Sequence, residues 1–223
     1  MKYILASACA ALALVGSPLA AQDRTGDVQF KVLGTAVLPD GEIDQVNVDI
    51  VGLPAGTDTE ASDNVVPTVA IEYFVSNNFS IETIAGVTQH DVDAISGFPA
   101  GTELVSDALL LPATVTGKAH FDVEGLKPYL GAGLAYFIWL DVDPGAATIP
   151  LGVTRTELSD EFGFVLQAGV DIPFGDSDFG VTLDAKRYFI GTTAQWYAGN
   201  TLAIETEHYL DPWVLSAGVS YRF

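Results

Sequence analysis

Trp213-Val214-Leu215-Ser216-Ala217-Gly218-Val219-Ser220-Tyr221-Arg222-Phe223 alternates without a break. Trp213, Leu215, Ala217, Val219, Tyr221 and Phe223 fall on one face, and Val214, Ser216, Gly218, Ser220 and Arg222 on the other. Successive side chains of a β-strand point to opposite sides, so this stretch has one wholly apolar face and one small or polar face. A strand that buries such a face in lipid and finishes on an aromatic residue is expected as the last strand of an outer-membrane β-barrel.

That expectation needs export, and the start of the chain supplies a signal. Lys2 precedes an apolar run over 4–15, and small residues follow at Ser17, Ala20 and Ala21, the layout of a secretory signal peptide. A run this short falls below the roughly 20 residues that a spanning helix needs. Residues 1–21 are read as the signal peptide and residues 22–223 as one barrel domain. The single cysteine, Cys9, lies in the exported signal, so no disulfide framework is expected in the rest.

Hydrophobic residues make up 49% of the chain, yet the longest uncharged apolar run after the signal, 129–140, has only 12 residues. Only helices and closed barrels satisfy every backbone group in lipid, so a membrane reading of such a chain means a barrel. A soluble sandwich also alternates, and the connections decide between them. Period-two patterning predicts eight strands, near 28–36, 64–74, 79–88, 109–121, 130–139, 162–172, 179–189 and 213–223. Arg187 interrupts the apolar face of the seventh, predicting either a bulge or a side chain that snorkels to an interface. Short turns follow the second, fourth and sixth strands, at Ser76-Asn77-Asn78, 122–127 and 173–178, and long segments follow the others. The fold expected is therefore all-β: an eight-stranded antiparallel transmembrane β-barrel with short periplasmic turns and long extracellular loops.

Charge follows the same division. The net charge is −20, and the long segments 38–63, 89–107, 141–161 and 191–211 hold 19 of the 29 acidic residues against one base, Arg155. Such a surface excludes nucleic acid as a partner. It is read as solvated loops, or as an acidic rim that gathers cations beside lipopolysaccharide. The pairs Asp91/Asp93 and Asp141/Asp143 carry oxygen ligands that suit calcium, but no EF-hand spacing is present, and neither metal nor cofactor is expected.

Four stretches resemble the OmpW family of small outer-membrane proteins: Leu109-Leu110-Leu111-Pro112-Ala113-Thr114, Lys127-Pro128-Tyr129-Leu130-Gly131-Ala132-Gly133-Leu134-Ala135-Tyr136, Gln167-Ala168-Gly169-Val170-Asp171, and Asp211-Pro212-Trp213 with the ending Tyr221-Arg222-Phe223. They fall in the family's order and cover most of residues 22–223. The resemblance implies an eight-stranded barrel in the bacterial outer membrane, with a narrow apolar interior that passes or binds small apolar molecules. It also implies insertion by the barrel assembly machinery, with Tyr221 and Phe223 as the assembly signal. The long acidic first loop and Arg187 depart from the family's pattern and leave the ligand open.

Eight strands enclose room for side chains or one small ligand, not a wide aqueous pore. Facing inward are Lys31, Glu72, Glu82, Lys118, His120, Asp171, Asp184, Lys186 and Arg222. Both signs occur, and paired charges are what a low-dielectric interior tolerates, so a plug of ion pairs at the periplasmic half or a polar gate is expected. Toward the outside the inward set becomes Leu110, Phe137, Trp139 and Tyr188, which either line an apolar ligand cup or pack on one another. Pro67 and Pro112 each remove a ladder hydrogen bond beside the third strand, where a solute could leave sideways into lipid. Two rival readings are a structural or surface-recognition barrel, and a lipid A modifying enzyme. The latter needs a nucleophile held by a base, usually Ser with His, and His90, His120 and His208 are read as too dispersed to form one.

Overall fold

The computed structural model describes residues 24–175 and 177–223, so the expected signal peptide and its cleavage site lie outside the described residues. Fourteen strands follow in order: β1 (Val28–Leu38), β2 (Glu42–Asp49), β3 (Asp58–Ala61), β4 (Asn64–Ser76), β5 (Phe79–Ala85), β6 (Thr88–Ser96), β7 (Thr102–His120), β8 (Lys127–Pro144), β9 (Arg155–Leu158), β10 (Glu161–Pro173), β11 (Phe179–Phe189), β12 (Gly191–Ala198), β13 (Thr201–Tyr209) and β14 (Trp213–Arg222). Eight close into an antiparallel ring in the order β1-β4-β5-β7-β8-β10-β11-β14, with β14 returning to β1. Closure of the ring is the condition for crossing a bilayer with strands.

β14 has the predicted faces. Trp213, Leu215, Val219 and Phe223 are exposed, while Val214, Ser216 and Ser220 are buried inside the ring. Its register places Val219 between Val32 of β1 and Val181 of β11, so the outward residues of three strands merge into one apolar band. Leu134, Phe162, Phe164, Leu166 and Leu183 continue that band around the wall. Aromatic rings gather at its two borders, with Phe179, Tyr221 and Phe223 in contact at one end and Tyr136 stacked on Phe162 toward the other.

The long outer connections are themselves ordered as sheet. The four acidic segments are largely strand: β2, β13, β12 and β9 form a sheet of their own, and β3, β6 and the upper parts of β7 and β8 extend the barrel wall. Together they prolong the cylinder above the membrane, interrupted by seams without a β-ladder between β2 and β3, between β8 and β9, and between β4 and β6. Alternation is present in these strands, as in β12, where Thr192, Ala194 and Trp196 are buried and their neighbours are not. Their outward face meets water instead of lipid and is polar, so a search for apolar outward faces passes over them.

Arg187 makes no bulge, since β11 keeps an unbroken register with β10 through this position and with β14 up to it. Its guanidinium instead reaches up to the Asp211 carbonyl and lies 3.2 Å from Asp40 Oδ2, over the Trp213 ring. This is the snorkelling alternative.

Candidate functional site

The interior has two storeys. The lower is polar, because β1, β4, β5, β7, β10 and β11 each turn a charged residue inward at the same height. Lys31 Nζ lies 2.6 Å from Glu72 Oε2 and 2.7 Å from Glu82 Oε2. Lys118 Nζ reaches the same two oxygens at 2.8 and 3.0 Å. Lys186 Nζ sits 2.6 Å from Asp184 Oδ1 and 3.3 Å from Glu82 Oε1, and Asp171 lies 3.9 Å from Lys31. Tyr129 donates to Asp184 at 2.7 Å and presents its ring to Lys118 Nζ at 3.7 Å. Lys31, Glu72, Lys118 and Lys186 are at most 1% exposed, so the ion pairs leave no open column of solvent. Close packing depends on glycine at one point: a Cβ at Gly169 would stand 2.3 Å from the Tyr129 hydroxyl.

The sequence-predicted charge set is therefore brought together with one exception. Arg222 stands apart at the periplasmic mouth, its Nε 3.5 Å from Asp27 Oδ2. Arg24 closes that mouth from the side, buried against the Phe74 ring with its guanidinium on Asp122.

The upper storey is apolar. Phe137 and Tyr188 meet with ring centroids 5.5 Å apart and, with Leu110, Val37, Val165 and Val214, form a floor above the charges. Over this floor lies a cavity of about 70 Å³. Leu110, Phe137, Trp139 and Tyr188 all line it, joined by Ala108, Ala194, Trp196, Leu210, His90 and His208. The last five were not legible as wall residues, because each lies in a segment expected to be loop.

Polar atoms around the cavity are committed elsewhere. Thr35 Oγ1 bonds Thr68 at 2.6 Å and Ser216 at 2.8 Å. Trp139 Nε1 donates to the Ser159 carbonyl at 3.1 Å and Trp196 Nε1 to the Leu104 carbonyl at 3.0 Å. Thr192 donates to Ser159 O at 2.9 Å, and the Tyr188 hydroxyl lies 3.3 Å from Thr114. A guest would meet methyl groups and ring faces.

One side of the cavity reaches the lipid-facing wall. The β4–β5 ladder stops at Val69 opposite Ala85, the β5–β7 ladder stops at Ile84 opposite Thr114, and β7 is paired again only by β6, from Thr88 opposite Leu110. Val66, Gly86, Val87 and Pro112 line the cavity at this interruption, and Val87 is 47% exposed on the outside. Pro67 pairs with Gly34 on β1 and borders the same gap from β4.

The histidines are differently placed than expected. His90 and His208 lie on strands β6 and β13, both buried in the cavity wall. His120 lies in the charged storey, where Nε2 is 2.8 Å from Ser80 Oγ, so a Ser–His contact does exist. Glu72 engages the same nitrogen at 2.9 Å, while Nδ1 has no protein partner. An acyl-transfer triad needs the carboxylate on the other nitrogen. As for the acidic pairs, Asp91 accepts the Asp107 amide and Asp141 the Val142 amide.

The model of the OmpW family matches residues 24–223. The chain belongs to the OmpW family. A relative from Sinorhizobium fredii, an uncharacterized outer-membrane protein y4mB, is 33% identical, the match covering 87% of this chain and 79% of the relative. Outer membrane protein W of Vibrio cholerae is 25% identical over the full length of both chains. In fold, this OmpW-family chain is similar to the crystal structure of OprG from Pseudomonas aeruginosa, with a TM-score of 0.79, 22% identity, and coverage of 90% of this chain and 97% of that one. AlkL in lipid bilayers gives a TM-score of 0.70 at 23% identity, over 93% of this chain and 95% of that one. The place of this OmpW-family barrel is the bacterial outer membrane.

Proposed function

We propose that the barrel admits small apolar molecules from outside into the upper cavity and releases them sideways into the membrane through the interrupted wall beside Pro67, Gly86 and Pro112. The observation that carries this reading is an apolar cavity whose polar wall groups are already bonded and which touches the lipid-facing side where the ladder is missing. Each buried CH₂ of a guest contributes about 0.8 kcal/mol, while a hydroxyl or amide would lose water without gaining a partner, at a cost of about 1–3 kcal/mol. The charged storey closes the straight path to the periplasm, so movement is lateral and ion conduction is small. Nothing in this route requires catalysis, and Tyr221 and Phe223 serve assembly by the barrel machinery.

The test pairs uptake of an apolar fluorophore, phenylnaphthylamine, by cells making the protein with single-channel conductance in planar bilayers. Uptake above that of cells lacking the protein, with little ionic current, is expected. Restoring a backbone donor with Pro112→Val should slow uptake, and unchanged uptake would sink the lateral route.

The Ser80–His120 contact is the observation that favours a hydrolytic reading. Ser80 is 2% exposed and sealed among ion pairs, which leaves no path for an acyl chain. A changed acyl pattern of lipid A in cells making the protein, read by mass spectrometry, would overturn the non-enzymatic assignment.

A further inference from the structure

Two buried imidazoles stand beside the ends of the 41–62 segment, His90 on β6 paired with Ala108 of β7 and His208 on β13 paired with Ile43 of β2 and Thr192 of β12, and they are wired alike. His90 Nδ1 lies 2.5 Å from the Ser62 carbonyl and its Nε2 lies 2.9 Å from Thr88 Oγ1. His208 Nδ1 lies 3.2 Å from the Gly41 carbonyl and its Nε2 lies 2.6 Å from Thr206 Oγ1. A carbonyl only accepts, so in both rings Nδ1 carries the hydrogen and Nε2 accepts from threonine. The neutral imidazole thus meets all its bonding partners, and a second proton would oblige each threonine hydroxyl to turn from donor to acceptor while the added charge stays buried.

The two carbonyls are the two ends of one element. Gly41 opens and Ser62 closes the segment that holds β2 and β3, which belong to different sheets, β2 laddered to β13 and β3 to β6. The ends are pressed together: a Cβ at Gly41 would lie 2.6 Å from the Ala61 nitrogen, and Gly41 takes a positive φ of 86°. Across the β2/β3 seam, Thr59 donates to the Gly41 carbonyl at 2.7 Å, Ala61 N to Asp40 O at 3.2 Å and Ile43 N to Asp58 Oδ1 at 3.0 Å. His208 joins this set, 3.4 Å from Thr59 Oγ1. Just past the end of the β3–β6 ladder, the Ser62 amide donates to Asp91 O at 2.9 Å, and at the β4/β6 seam the Asn64 side chain donates to Gln89 O at 2.8 Å, beside His90. Few bonds close each seam, and a histidine takes part in both.

We propose that His90 and His208 are a paired acid-sensitive latch, holding the 41–62 segment closed along its β2/β3 and β4/β6 seams at neutral pH and releasing those seams as the medium acidifies. Both rings lie above the apolar band, as the exposed Gln89 and Asp107 beside His90 and the exposed Tyr209 beside His208 indicate. The groups facing His90 are Asp63 and Asp91, with Asp107 of β7 held on Asp91 and uncharged Ala108 opposite. Those facing His208 are Asp58 of β3, uncharged Thr192 of β12 and Ile43 of β2. Burial lowers the affinity of both rings for a proton, and these carboxylates offset that only in part. A released, hydrated imidazole titrates near its ordinary value of about 6.5. The closed form therefore binds fewer protons than the open form below that pH, and acid favours opening. Two sites raise the open-to-closed ratio by at most about 100-fold per pH unit.

The latch is tested by pulsed electron spin resonance distances in the full-length protein exported to the outer membrane, in a Cys9→Ser background. One doubly labelled variant, Val46→Cys with Glu60→Cys, spans the β2/β3 seam; another, Val65→Cys with Gln89→Cys, spans the β4/β6 seam. A single narrow distance at pH 7.5 and a longer population at pH 5.0 are expected. His90→Asn with His208→Asn keeps a donor near each Nδ1 position and does not titrate in this range, so distances should stay narrow at both pH values. Identical wild-type distributions at the two pH values would overturn the proposal. So would opening of the double asparagine variant, which would transfer the effect to the carboxylates. If that variant does not assemble, ¹⁵N shifts of the wild-type imidazoles decide, and rings that stay neutral at pH 5.0 while the seams open refute the latch. None of these readings involves a solute, so the latch and the uptake route fail separately.

Discussion

Replacing Lys31 with methionine isolates what the charged storey contributes. The substitution keeps chain length and most of the packed stem, and deletes an ammonium group 2.6 Å from Glu72 and 2.7 Å from Glu82. Lys118 and Lys186 would then face Glu72, Glu82, Asp171 and Asp184, all at least nine-tenths buried. Breaking a buried pair by removing one partner costs about 3–5 kcal/mol, mostly through the charge left behind. Urea unfolding in phosphocholine vesicles, followed through Trp139, Trp196 and Trp213, should therefore show a loss of that size. Adding Glu82→Gln removes a carboxylate at the same time, so the double variant should cost less than the sum of the single ones. A loss under about 1 kcal/mol, the range of solvated surface pairs, would refute the reasoning: it would mean that water penetrates the lower storey and that the barrel is not closed there.

Three further outcomes are expected. Val219→Arg puts a cation on the apolar band, opposite Val32 and Val181, and should destabilise the folded barrel by about 2–4 kcal/mol in vesicles if this position is near the bilayer midplane. Gly169→Ala drives a methyl group against the Tyr129 hydroxyl and the Leu183 carbonyl and should cost about 1–3 kcal/mol in the same urea assay. Ala194→Phe fills the cavity from β12 and should abolish phenylnaphthylamine uptake while heat-modified migration in gels stays that of a folded barrel.

The membrane wall was legible because lipid demands an apolar outward face on every strand. β14, β10 and β11 satisfy that demand with rows such as Phe162, Phe164, Leu166 and Ala168, and the inward charges between such rows point to a plug of ion pairs or a polar gate. Leu110, Phe137, Trp139 and Tyr188 were found as inward residues on the same strands. The rest of the cavity was hidden, since β12 and β13 alternate between a buried face and a polar one, the pattern of a strand in water. Thr192-x-Ala194-x-Trp196 was the available signal, and reading it required expecting a sheet above the membrane. Arg222 misled for another reason: period two gives the side of the wall but not the depth, and this residue sits at the mouth where the ring ends.

The charged storey also has a consequence for assembly. Its lysines and carboxylates come from strands far apart in the chain, Lys31 on β1 and Lys186 on β11 among them, so every lysine finds its carboxylates only when the ring has closed in one alignment. A slip of one residue reverses every side chain of a strand. Such a slip would carry Lys31 out into hydrocarbon and bring Phe30 or Val32 in among carboxylates. The cluster thus works as a combination lock on strand alignment, admitting one pairing and charging every neighbour of it with a stranded ion.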